Sequence, residues 1–282
     1  VIIFSPHPDD DVISMGGTFQ RLVEQNHDVH VAYQTSGNIA VGDDEAIRYL
    51  ALMGNVLERF DPSDNILKGK YQDMYRFLTE EKKTGDVDTI DILYLKGRIR
   101  REEARAACRY NGVPEDRVHH LDLPFYETGK IKKGDISEND VNIIIELLQA
   151  VKPHQIFVAG DLADPHGTHK VCLDAALAAI HELKNESWMD DCRVWMYRGA
   201  WAEWEIDHIE MAVPISPEEL RRKRNSILKH QSQMESAPFL GNDERLFWQR
   251  AEERNQASAN MYSKLGLASY EAIEAFVEYK KL

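Results

Sequence analysis

Val1-Ile2-Ile3-Phe4-Ser5-Pro6-His7-Pro8-Asp9-Asp10-Asp11-Val12 opens the chain. Its first five residues, apolar and rich in β-branched side chains, predict a short buried strand. Pro6 and Pro8 end that strand. Three aspartates follow, where the start of a helix sets carboxylates against the positive end of its dipole. Ile13, Phe19, Leu22 and Val23 then recur at helical spacing over about Val12 to Asn26, and Val29 to Tyr33 reads as a second strand. Strand, turn, helix, strand is the opening of a Rossmann-like, doubly wound α/β fold, a mostly parallel sheet with helices on both faces.

Further along, Arg48 to Phe60 and Tyr71 to Lys83 have helical spacing, separated by Asp61-Pro62-Ser63-Asp64, and residues 42–96 read as a helical insertion. The pattern then predicts a helix over Ile99 to Asn111 stopped by Gly112, a strand near Val118 to Leu121, and a helix over Ser137 to Val151. A strand over Ile156 to Ala159 and a helix over Thr168 to Leu183 come next, with later strands at Arg193 to Tyr197 and Ile209 to Val213. Ser216-Pro217-Glu218-Glu219 is a helix start with proline in the first turn, so 218–282 is expected to be C-terminal helices. With no repeat, low-complexity segment or linker, residues 1–282 read as one domain.

The net charge of −14 weighs against nucleic acid and anionic membrane surfaces as partners. The basic cluster Arg98, Arg100, Arg101 and Arg105 reads as a solvated helix face. No apolar run reaches membrane-spanning length. Cys108, Cys172 and Cys192 form no CxxC pair, which fits a reducing compartment, and the expected location is cytoplasmic. A homo-oligomer is left open. So is a covalently fused N-terminal domain, because Val1 already lies inside an apolar run.

Two loops carry candidate chemistry. Both follow strands, and in an open parallel sheet ligands bind at the carboxyl ends of strands. In the first, His7 and Asp10 lie three residues apart on a tight turn, and a cation would neutralise the run Asp9-Asp10-Asp11. In the second, Asp164-Pro165-His166-Gly167-Thr168-His169 puts two imidazoles at a helix start. Two histidines and a carboxylate with an open position form a catalytic Zn2+ set, and Fe2+ suits the same donors. Asp122-Leu123-Pro124-Phe125-Tyr126-Glu127 follows another strand. Asp122 and Tyr126 there are candidate sugar-binding residues, with a structured turn as the equal alternative. Glycines in a G-x-G-x-x-G pattern do not follow the first strand, which disfavours a nucleotide-binding domain.

Ser5-Pro6-His7-Pro8-Asp9-Asp10-Asp11 resembles the AHPDDE signature of the PIG-L/LmbE-like zinc-dependent N-deacetylases. Further segments follow in the family's order. They are Thr35-Ser36-Gly37, Arg100 and Glu103 before Asn111-Gly112-Val113, His166-Gly167-Thr168-His169, and His230-Gln231-Ser232-Gln233. The resemblance implies a Rossmann-like fold and removal of an N-acetyl group from an amino-sugar substrate of the N-acetylglucosamine type. Carried over by position, it makes His7, Asp10 and His169 the metal ligands and Asp9 the general base. It makes His166 the group that steadies the oxyanion or protonates the amine, and it places Arg100 near the substrate. The chain departs from the family pattern at Asp11 (Glu), Thr168 (Asp) and Asn38 (often Glu), with Asp164 able to take over the lost aspartate's task. A fainter likeness is to domains fused behind a glucosamine-6-phosphate deaminase-like domain. The competing readings are a metal amidase acting on another amide or a thiol conjugate, and a non-catalytic sugar or sugar-phosphate binding module.

Overall fold

The computed structural model describes residues 1–60, 63, 65–129, 132–160, 167–199, 202–234 and 243–280. Its strands are β1 (Ile2–Ser5), β2 (His30–Tyr33), β3 (Val118–His120), β4 (Gln155–Ala159), β5 (Arg193–Tyr197), β6 (Met211–Ile215) and β7 (Ala272–Glu278). They form one sheet in the order β3-β2-β1-β4-β5-β7-β6. The first five strands are mutually parallel, and β7 runs antiparallel to both β5 and β6. The helices are α1 (Asp10–Glu24), α2 (Asp43–Phe60), α3 (Asn65–Arg76), α4 (Ile90–Tyr110), α5 (Glu138–Val151), α6 (Thr168–Glu182), α7 (Pro217–Ile227) and α8 (Phe247–Lys264).

Alternate strand residues feed two cores, as the period of two along a strand requires. Ile2, Phe4, Ile156 and Val158 pack with Ile144 and Leu148 of α5 and Cys172 and Ala176 of α6. Ile3, Val31, Phe157 and Tyr197 pack on the other face with Val12 and Phe19 of α1, Ala104 and Cys108 of α4, and Ala251 of α8. The sheet is therefore covered on both sides, and the doubly wound expectation holds.

From β1 the chain moves outward to β2 and β3, then returns to the other side of β1 to form β4 and β5. The reversal falls between β1 and β4. This is the switch point at which open α/β sheets form their crevice. The loops leaving β1 and β4 carry the two predicted chemical segments.

Two boundaries differ from the sequence reading. The helix expected from Ile99 begins at Ile90, where the Thr89 side chain accepts the Ile92 N–H. Residues 42–96 are thus not cleanly separate from the main fold. α2, α3 and the first half of α4 share a small core of Val41, Ala46, Leu50, Leu78, Ile92 and Leu95, while the second half of α4 packs on the sheet. Lys82 and Lys96 each bridge Asp43 and Asp88 at 2.6–2.7 Å, a charge-balanced square that ties the insertion together.

The second correction concerns the C-terminus. Helices do not fill 218–282: α7 and α8 form, but Ala272–Glu278 is a strand inserted between β5 and β6. Alanines and glutamates favour helix on propensity, and tertiary pairing overrides them here. The Glu274 carboxylate is buried and accepts the Gly17 N–H (2.9 Å), the Thr18 N–H (2.7 Å) and the Thr18 hydroxyl (2.6 Å). Those donors are exposed by a kink in α1 at Met15. Gly16 and Gly17 let neighbours close onto that kink, since a Cβ at Gly17 would lie 2.6 Å from Ile215 Cδ1. The predicted strand at Ile209 to Val213 forms two residues later, as β6.

Candidate metal centre

The three aspartates after β1 point to three different partners. The turn is set by His7 O, which accepts the Asp9 N–H at 2.9 Å, and by Asp9 O, which accepts the Val12 and Ile13 N–H groups to start α1. From this corner Asp10 faces the crevice. Its Oδ2 lies 3.2 Å from His7 Nδ1 and 3.2 Å from His169 Nε2, and it accepts the His7 N–H at 2.9 Å. The donor atoms of His7, Asp10 and His169 all lie within 4.8 Å of one another. His169 sits in the first turn of α6, the helix that follows β4, so the fold brings together candidate ligands 162 positions apart in sequence.

This donor set fits a divalent cation. Two imidazole nitrogens and one carboxylate oxygen converge, and nitrogen donors favour zinc or ferrous iron over magnesium. Asp10 and His169 are buried, whereas the His7 side chain keeps 21% of its surface exposed, which leaves an approach from outside. Burial alone pushes the Asp10 carboxyl up, but the charges and hydrogen bonds of His169 and His7 outweigh it and hold Asp10 well below the usual carboxylate range. Burial holds the His7 imidazole below its ordinary value, so it stays neutral and able to bind a metal.

Asp9 has a partner of its own. Its carboxylate lies 3.1 Å from an Arg100 guanidinium nitrogen, and the same nitrogen donates to Pro8 O at 3.1 Å. Burial raises the Asp9 carboxyl to about 8 against the pull of Arg100, with Asp10 and Asp11 adding to the rise. Asp11 points into the core. It takes the hydroxyls of Ser5 (3.2 Å) and Tyr33 (3.1 Å), and burial lifts it to about 7. The shorter side chain at this position is therefore satisfied inside the protein, and only Asp10 of the three aspartates belongs to the ligand group.

The smaller matching segments assemble around the same point. The Thr35 hydroxyl donates to Pro6 O at 2.7 Å and fixes the turn before His7. Gly37 has φ +64°, and a Cβ there would come within 3.1 Å of Pro8 Cδ and 3.3 Å of Arg100 Cζ. Glycine at this position thus lets Arg100 reach Asp9. Glu103, one turn after Arg100 on α4, accepts the Ser232 N–H (2.6 Å) and hydroxyl (2.7 Å). His230 is fully buried, and neither ring nitrogen has a hydrogen-bond partner among the described residues. Burial and the Arg100 charge drive it down to about 3, against the pull of Asp10.

Of the candidate sugar-binding residues, Tyr126 stands edge-on to His7 with ring centroids 6.2 Å apart. It is positioned from behind by Asp140, which accepts the Phe125 N–H at 2.9 Å. Asp122, with φ +45°, is paired to Arg101 and faces a neighbouring pocket instead of the ligand group. Glu127 accepts the Ser36 N–H (3.0 Å) and the Asn38 side-chain amide (3.3 Å). Glu127 carries no role in the sequence pattern; the signal for it is Asn38, the amide that stands where the family often has an acid. His119 stacks on His30 and His120 on Tyr33, so both are packing residues. Thr168 is buried, and its hydroxyl accepts from Lys133. Asp164 and His166 lie outside the described residues.

The family described as PIG-L, GlcNAc-PI de-N-acetylase, matches residues 2–180. A glucosamine-6-phosphate deaminase-like protein of Bacteroides thetaiotaomicron is 68% identical over 282 residues, which is 99% of this chain and 42% of that protein. The chain thus spans about two fifths of that relative's length. Among solved structures, the N,N'-diacetylchitobiose deacetylase of Pyrococcus horikoshii superposes with TM-score 0.57 at 17% identity, covering 99% of this chain and 82% of that one. GalB, the 4-carboxy-2-hydroxymuconate hydratase of Pseudomonas putida, gives 0.62 at 15% identity, over 100% and 97% of the two chains. The zinc-inhibited form of the teicoplanin deacetylase Orf2 gives 0.53 at 17%, over 100% and 99%. At such identities the superpositions speak for the fold.

Proposed function

This chain belongs to the PIG-L family, and from that premise we propose that it is a metal-dependent N-deacetylase that removes the acetyl group from an N-acetylglucosamine-type amino sugar. The observation that carries the reading is the convergence of His7, Asp10 and His169 at the switch point. Zinc is the proposed occupant, and ferrous iron suits the same donors. When bound there, such a cation supplies Lewis acidity, polarising the amide carbonyl and making water a better nucleophile near neutral pH.

The rest is the work of the protein. Asp9 accepts a proton from the attacking water as the new C–O bond forms. A buried carboxyl whose affinity for protons is raised is matched to that task. Arg100 fixes the Asp9 rotamer through paired contacts to the carboxylate and to Pro8 O, and it keeps a positive charge beside the substrate. The C–N bond then breaks, and the amine leaves with a proton from His166 or Asp9. Tyr126 offers a ring edge and a hydroxyl to the sugar. Burial raises that phenol to about 12, so it remains a hydrogen-bond donor at neutral pH. Asp122 and Arg101 are proposed to meet the sugar farther out.

No helix among the described residues is long and apolar enough to cross a membrane, and Cys108, Cys172 and Cys192 are buried. A cytoplasmic location, expected from the cysteine spacing, is proposed, with a small-molecule substrate in place of a macromolecule. The test is acetate release from N-acetylglucosamine derivatives by protein stripped of metal and by the same protein reloaded with zinc. Release should appear only on reloading. Activity that is indifferent to chelation, or confined to amides without a sugar, would refute the reading.

A further inference from the structure

The four arginines 98, 100, 101 and 105 lie on one helix but do not share one fate. Arg100 is buried against Asp9, Arg101 pairs with Asp122, and Arg105 pairs with Glu102 and Glu115. Arg98 has no carboxylate partner among the described residues. Its guanidinium lies 4.6 Å over the ring of Tyr94, one helical turn earlier.

The pocket is a cavity of about 320 Å³ between the first half of α4 and the loops leaving β2 and β3, lined by Ser36, Asn38, Tyr94, Arg98 and Glu127 among others. That volume lies in the range of small-ligand sites, roughly 300–1,000 Å³. Its lining is continuous in sequence with residues at the metal centre. Gly37, between two lining residues, touches Pro8 and Arg100, and Tyr126, next to Glu127, faces the His7 ring. α4 comes close to this lining at Gly97, where a Cβ would lie 3.3 Å from Ser36 Cβ.

The two carboxylates in the pocket are already engaged. Asp122 is neutralised by Arg101, and both Glu127 oxygens take N–H donors from Ser36 and Asn38. Arg98 is the guanidinium of this pocket left without a carboxylate partner among the described residues. We propose that this pocket receives an anionic substituent of the substrate, a phosphate ester or a carboxylate, with Arg98 as its anchor. A planar guanidinium held by an aromatic face is oriented to meet such an oxyanion with two parallel N–H bonds. The residues that supply the anchor belong to the stretch that carries the insertion, so the specificity is a property of this chain and not of the sheet. The proposal rests on the deacetylase reading only for the sugar that bears the charge.

Calorimetric titration of the zinc-loaded protein with glucosamine, glucosamine 6-phosphate and muramic acid tests it, because none of the three contains an amide to cleave. At least one anionic sugar should bind roughly tenfold or more tighter than glucosamine, the scale of one charge-assisted hydrogen bond. Preference for the phosphate or for the carboxylate identifies the substituent. Arg98→Gln should reduce the discrimination to within about threefold while Arg98→Lys retains part of it, both with an unchanged melting temperature. Equal affinity for neutral and anionic sugars, failure of all three to bind, or discrimination that survives Arg98→Gln would overturn the proposal. Discrimination that depends on Arg98 in a protein that cleaves no N-acetyl sugar would sink the deacetylase reading and leave this one standing.

Discussion

Asp9 and Asp10 are adjacent carboxylates in opposite electrostatic settings. Asp10 is held ionised by two imidazoles, while Asp9 is held by burial near the point of taking a proton. Environments that push neighbouring carboxyls apart are what separate a ligand from a base. Asp9→Asn should therefore keep the metal while turnover falls at least ~100-fold, the usual scale for a lost general base. Metal content and acetate release measured on the same sample check this, and full turnover would remove Asp9 from the scheme. His230 gives a second test. Its folded-state value, about 3, lies below the ordinary 6.5, so between those values the unfolded chain binds the extra proton. Stability contributed by neutral His230 is complete above pH 6.5 and is lost as pH falls toward 3. Its imidazole proton resonances should not shift between pH 8 and 5, and His230→Gln should flatten the acid limb of the melting profile. Titration near 6.5 would contradict its enclosure between Arg100 and the ligand group. His7 and Asp10 were legible in the sequence because an imidazole and a carboxylate three residues apart on a turn can reach one ion, whereas the choice of His169 over His166 came from the family resemblance. The fates of Asp9 and Asp11 were not, since adjacent residues on a turn diverge by backbone angles that sequence spacing does not encode.

The elements that hold this corner rigid are α1, α7, α8 and β7. Lys223 of α7 reaches Glu274 Oε1 (2.7 Å), Asn255 Oδ1 (2.8 Å) and Ser14 O (3.3 Å) with no exposed surface. Glu274 in turn caps the kinked α1 whose first residue is Asp10. Removing one partner of a buried pair strands the other charge, so Lys223→Met should cost about 3–5 kcal/mol. Urea unfolding measures it, and a loss under about 1 kcal/mol would show the pair to be incidental. The parallel strands and their helices were readable, because runs buried on both faces and 3.6-residue stripes are direct signals. β7 was not, because its alternation is broken by a glutamate turned inward for reasons that lie 257 residues away at Gly17. The true start of α4 was hidden similarly, its first half being amphipathic toward the insertion and not toward the sheet.

At the scale of the molecule, the sheet supplies a crevice and the loops supply the chemistry. The solved structures that superpose on this chain include both deacetylases and a hydratase, so the architecture alone does not select a reaction. What points to the proposed reaction is the trio His7, Asp10 and His169 at the switch point, in a chain that belongs to the PIG-L family. The most direct test of the account is the zinc stoichiometry of the metal-stripped protein after reloading and dialysis, compared with His7→Ala, Asp10→Ala and His169→Ala. The account predicts a single tightly held ion per chain in the parent protein, and its loss in each variant with the fold intact by circular dichroism. Full retention of that ion in any of the three variants, or failure of the parent protein to hold one, would contradict it.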